Sequence, residues 1–146
     1  MRSILRKELL VLGAVVAAAA CGSDSTGVVG PSAAGNYTAT SFVTSGPSGQ
    51  TNQLAAGSTV QLNLAADGTT SGHLHVAATN TSPVFDADLA GTWKQTGNTV
   101  TFNQTADTFF NDIALTVTQD PADGLDLVGD QTFSGTNVKI TLKRLP

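Results

Sequence analysis

The chain has 146 residues, with seven Lys and Arg against eleven Asp and Glu, a net charge of −4, and only 12% charged and 5% aromatic residues. That length fits one domain of ordinary size and not two. The single Cys excludes a disulfide scaffold, the composition excludes a coiled coil, and 40% hydrophobic residues argue against full disorder. Thr is the commonest polar residue, at 21 positions. It is β-branched and suits a pleated, half-wet surface, so the excess leans towards strands.

Residues 1–20 read as an export signal. Arg2, Arg6 and Lys7 precede an unbroken apolar run over 9–20, the pattern of a secretory signal peptide. The run has 12 residues, short of the about 20 that a membrane-spanning helix needs. Ala18, Ala19 and Ala20 then lead into Cys21 and Gly22. This resembles the lipobox of bacterial lipoproteins, in which small residues precede the cleavage-site Cys. The resemblance implies cleavage just before Cys21, a diacylglycerol on its sulfur, acyl chains such as palmitate, and a lipid-anchored place in the cell envelope, with the membrane as partner. An ordinary secretory signal with an incidental Cys is the other reading of these residues.

Cleavage before Cys21 leaves four basic residues, Lys94, Lys139, Lys143 and Arg144, against ten Asp, a net charge of −6. A chain of that sign with no basic stripe is a poor partner for nucleic acid. Lys139, Lys143 and Arg144 read as a solvated strand edge kept soluble by charge. Residues 21–34, the Cys and the small, polar stretch after it, are expected to form a flexible tether with an r.m.s. span of roughly 20 Å.

From Gly35 the hydrophobic period is two. Val60, Leu62 and Leu64 alternate with polar residues, as do Leu74 and Val76, Val100 and Phe102, Ile113, Leu115 and Val117, and Val138, Ile140 and Leu142. One apolar and one wet face is the antiparallel pattern. Strands are expected at 36–43, 58–66, 69–77, 88–95, 98–104, 112–119, 125–133 and 137–144. Asp67-Gly68 is a strong hairpin signal, with weaker ones at Gly97-Asn98 and Gly135. Eight antiparallel strands with short links form an up-and-down barrel over 35–146, which abolishes sheet edges; a β-sandwich is the alternative. The string Gly91-Thr92-Trp93 to Gly97-Asn98-Thr99-Val100, with Gly35-Asn36-Tyr37 and Ala66-Asp67-Gly68-Thr69, resembles bacterial lipocalin-like domains. That resemblance implies a barrel with a ligand mouth. Trp93 is expected to face the interior.

In such a meander the connections alternate between two ends. The segments 44–57, 78–87 and 105–111 are long and gather at one end, where an eight-stranded barrel has room for one small ligand. Val43, Val76, Val84, Phe85, Phe102, Phe109, Phe110 and Ile113 are the candidate lining of that mouth, with the polar, Gly-rich 44–57 as a lid. The other reading is that the same side chains plug the barrel top as core, which is the commoner fate of a Phe-lined mouth.

Little else points to chemistry. His73 and His75 share a strand face, but the apolar face is the other one and neither Cys nor Glu is at hand as a third ligand, so no metal site is expected. Asp86 and Asp88 are a second same-face pair. Asp120, Asp123, Asp126 and Asp130 surround Gly124, yet the spacing is not that of an EF-hand, and Asp is ordinary in turns; weak calcium binding is the most they offer. No G-x-S-x-G, no buried carboxylate pair and no phosphate-cradling loop is present, so no enzyme activity and no cofactor are expected. The leading expectation is a cell-envelope lipoprotein acting as a non-catalytic binding module for a small apolar or amphipathic ligand. Its rival is a structural or protein-interaction domain with a filled barrel and no ligand.

Overall fold

The computed structural model describes residues 30–80, 82–122 and 124–146; the signal segment, Cys21 and Asp123 lie outside the described residues. Ten strands follow in order: β1 Gly35–Gly46, β2 Gly49–Asn52, β3 Thr59–Leu64, β4 Thr69–Val76, β5 Phe85–Asp88, β6 Gly91–Thr96, β7 Thr99–Gln104, β8 Leu115–Asp120, β9 Gly124–Phe133 and β10 Thr136–Arg144. Among the described residues a single 3-10 turn, Phe109–Asn111, interrupts them. Every pairing is antiparallel. The order β1-β3-β4-β6-β7-β8-β9-β10 closes on itself through β10 and β1, so the fold is the eight-stranded up-and-down barrel and not the sandwich. Each expected strand is present, with ends moved by at most three residues.

The two extra strands lengthen the wall at the long-loop end. β5 and β6 run along β4 in one continuous register, from Val76↔Phe85 through His73↔Asp88 to Thr69↔Thr92. The Leu89 amide donates to the Gly72 carbonyl at 3.0 Å across the short break between them. β2 folds back on the upper half of β1, where Val43 faces Asn52. β1 rises from the floor at Gly35 to the long-loop end at Gly46, and β10 returns, pairing Ser45 with Asn137 and Tyr37 with Arg144. Both ends of the barrel wall therefore sit at the floor.

The inward positions form one apolar core: Tyr37, Phe42, Val60, Leu62, Leu64, Leu74, Val100, Leu115, Leu127, Ile140 and Leu142 are all buried. Each such aliphatic or aromatic side chain contributes about 1.5–3 kcal/mol of burial. Two glycines of the β3–β4 hairpin are required by geometry. At Gly72, φ is +149°, and a Cβ would run into the Gln61 backbone of β3. Gly68 has φ +87° and its amide donates to the Ala65 carbonyl at 3.0 Å. Only this one residue of the Asp67-Gly68 turn has positive φ, so the connection spans residues 65–68 and is longer than the expected two-residue hairpin.

Candidate functional site at the long-loop end

Strict alternation along β1 puts Val43 on the same face as Tyr37. The register instead slips between Ala39, opposite Leu142, and Ser41, opposite Thr141. This bulge inserts one residue and reverses the parity above it. Phe42 faces inward, 2% exposed, and Val43 turns away from the core, a correction to its place in the candidate lining. Val84 and Phe85 are also corrected: they are 52% and 43% exposed, because they lie at the outer tip of β5 beyond the rim. Val76 packs partly against the core.

The remaining candidates come together, but as a plug. Phe110 and Ile113 are buried, Phe102 nearly so, and Phe109 partly. Phe109 stacks on Phe110 at 4.5 Å between centroids. Phe110 meets Phe102 edge-on at 5.6 Å, and Phe109 leans on Phe42 at 5.7 Å and Phe133 at 6.5 Å. Offset and edge contacts of this kind favour aromatic rings beyond their area burial. The 3-10 turn that carries Phe109 and Phe110 is fastened to the wall: Asn111 accepts from the Gln104 amide and donates to the Ala106 carbonyl. Gln104 in turn is paired with Thr70 inside the barrel.

The expected lid is fastened too. Residues 44–57 make a hairpin followed by a turn rather than a free loop. Gln53, 6% exposed, donates to Thr44 Oγ at 2.8 Å and accepts from Ser58 Oγ at 3.2 Å. Ser58 Oγ itself accepts from the Ala77 amide at 2.9 Å, tying the first long connection to the second. The prominent clefts of the described residues open elsewhere: on the outer wall, and at the floor, where one of about 370 Å³ is lined by Gly30, Ser32, Ala66, Asp67, Gly68, Trp93 and Gln95.

At that floor, part of the expected tether is packed. Ala33 is fully buried; its amide donates to Gln95 Oε1 at 2.8 Å, and its carbonyl accepts from Tyr37 Oη at 2.8 Å. Gln95 also donates to the Pro31 carbonyl at 3.0 Å. Burial pushes the Tyr37 hydroxyl above its ordinary pKa, with Arg144 opposing and Asp126 adding to the rise. Trp93 does face inward, opposite Phe102, but it is half-buried because one edge lines the floor cleft. Its indole donates to the Ala65 carbonyl at 2.8 Å.

The outer wall holds a polar cluster that the sequence shows only as two separate pairs. The register sets His73 opposite Asp88 and His75 opposite Asp86. Asp86 Oδ1 lies 2.7 Å from His75 Nδ1 and 3.2 Å from His73 Nε2, and Asp88 Oδ1 lies 3.2 Å from His73 Nδ1. Hydrogen bonding to Asp88 and then Asp86 raises the pKa of His73. The bond to His75, ahead of that to His73, lowers the pKa of Asp86. The His and Asp side chains are one-third or more exposed, so these are not the buried His–acid pairs of a hydrolytic site. Among the described residues no group of three or more His, Cys, Asp or Glu is arranged to hold a metal ion.

The acidic turn also disperses. Asp120 caps its own turn through the Ala122 amide at 2.8 Å, while Asp130 binds Asn137 at 2.8 Å and Lys139 at 3.3 Å. Asp126 and Asp130 stand along one strand, about 13 Å apart by strand rise, too far to share a cation. The bulge, the Phe42 and Phe133 contributions to the plug and the His–Asp cross-strand pairing all escape sequence reading; the one usable signal is that both pairs repeat at i, i+2. Comparison of the chain with protein-family models, with curated proteins and with solved structures finds no match in any of the three.

Proposed function

We propose that this protein is a lipid-anchored cell-envelope lipoprotein whose barrel is a filled, non-catalytic scaffold that presents its long-loop end to a protein partner. The observation that carries this reading is the aromatic plug of Phe42, Phe102, Phe109, Phe110 and Phe133, which occupies the place a small apolar ligand would take. The exposed Val84 and Phe85 at the same end support it. So do β2 and β5, each of which pairs on one side only among the described residues; an unpaired strand edge is a ready place for another chain to add a strand. The anchor rests on the lipobox-like run up to Cys21 and the export signal before it.

The test is native mass spectrometry of the mature, full-length protein extracted from membranes. The expected result is a mass accounted for by the chain and the acyl groups on Cys21. An additional amphipathic molecule bound one to one and lost only on unfolding overturns the filled-barrel reading and supports a small-ligand carrier.

A further inference from the structure

We propose that His73 is a proton-dependent clasp that fastens β5, and with it the exposed tip at Val84 and Phe85, to the barrel wall. The argument is one of donors and acceptors. Each ring nitrogen of His73 has a carboxylate oxygen at 3.2 Å, Asp88 on Nδ1 and Asp86 on Nε2. A carboxylate only accepts, and a neutral imidazole carries one N–H. Neutral His73 therefore satisfies one contact and turns a lone pair towards the other carboxylate. Only the imidazolium, with a proton on both nitrogens, makes both bonds. His75 differs: it has one carboxylate, on Nδ1, and a neutral ring with its proton there suffices.

The surroundings leave these four side chains as the charged groups involved. From β3, Gln61 stands opposite His73 and Thr59 opposite His75, and neither titrates. Asp86 and Asp88 supply the charge from β5. The carboxylates raise the pKa of His73 above its ordinary 6.5, so its contribution is full below that value and is lost as pH rises through the raised one. The pKa of Asp86 is lowered from 3.8, so its contribution is full above 3.8 and is lost only as pH falls through the lowered value. The clasp is closed across the mildly acidic range between 3.8 and 6.5, and it loosens as pH rises through the raised pKa of His73. Among the described residues β5 pairs with β4 alone, so the clasp adds to that ladder in holding the tip against the wall.

The experiment is residue-resolved amide exchange on the full chain at about pH 6 and about pH 8.5, corrected for intrinsic rates and referenced to β9 and β10. The expected result is a two- to fivefold loss of protection over 85–88 at the higher pH, the modest effect of an exposed charge pair. His73→Gln removes that pH dependence, and His75→Gln keeps it. In Asp88→Asn, the ring titration of His73 moves back towards its ordinary midpoint. Protection over 85–88 that is the same at both pH values in the unmodified protein, or a pH dependence that survives His73→Gln, overturns the proposal.

Discussion

Two phenylalanines separate the plug from the rim. Phe110 is fully buried between Phe102 and Phe109, whereas Phe85 is 43% exposed at the tip of β5. Truncating a buried ring loses its transfer energy and leaves a cavity in packing that relaxes only in part. Phe110→Ala is expected to cost about 3–5 kcal/mol, and Phe85→Ala less than about 1 kcal/mol, both read from urea unfolding midpoints at constant slope. Equal losses at the two positions show that the rings share one environment and remove the distinction between plug and exposed tip. The same logic lowers what is expected of Trp93. Half-buried and bonded to Ala65, it contributes less than a fully enclosed indole.

The elements differ in how much of their geometry is local. The β9–β10 hairpin is closed by Ser134 and Gly135, both with positive φ, at 46° and 83°. Two consecutive positive φ values match the twist of paired strands and favour Asn-Gly. Ser is a poor occupant of that conformation, so Ser134→Asn is expected to stabilise the protein by roughly 0.5–1 kcal/mol, read as a rise in Tm with the near-UV spectrum unchanged. A fall in Tm shows instead that the Ser134 side chain has a role of its own in the turn. β1 is the opposite case. Its residues alternate acceptably in either parity, and only the ladder to β10 fixes where the extra residue goes.

At the scale of the whole molecule, an even number of strands brings entry and exit to the same end. Residues 31–33 are bound to Gln95 at the floor, and the long connections lie opposite. With the proposed anchor at Cys21, the floor is expected to face the lipid and the plugged, long-loop end to face away from it. On phospholipid vesicles, protease cuts within 46–49 are expected to stay as fast as in solution, while cuts within 22–29 slow. If the proposed anchor holds, the Cys21→Ser variant is expected to stay in the soluble fraction, because it lacks the sulfur that would carry the diacylglycerol and its apolar burial. Membrane fractionation of that variant in high salt, or protection of 46–49 equal to that of 22–29, overturns the orientation.

The sequence by itself determined the eight wall strands, and left open whether they close as a barrel or stack as a sandwich; β2 and β5 came only with the structure. Period-two patterns such as Val60-Gln61-Leu62-Asn63-Leu64 leave one wet and one apolar face, and the short turns at 67–68 and 97–98 favour pairing of the strands they join. It also determined which end carries the long connections, since a meander alternates ends by construction. The tertiary structure decided what those connections do. Whether Phe109 and Phe110 line a mouth or fill it depends on distances across the barrel, and hydrophobicity is the same in both cases. Whether Phe42 or Val43 faces inward depends on a one-residue slip against β10, which no local pattern records. Residues 31–33, polar and small enough to read as linker, are held by Gln95 and Tyr37, partners more than sixty residues and four residues away. His73 and Asp88 became one device for the same reason: a strand register joins residues that the chain separates.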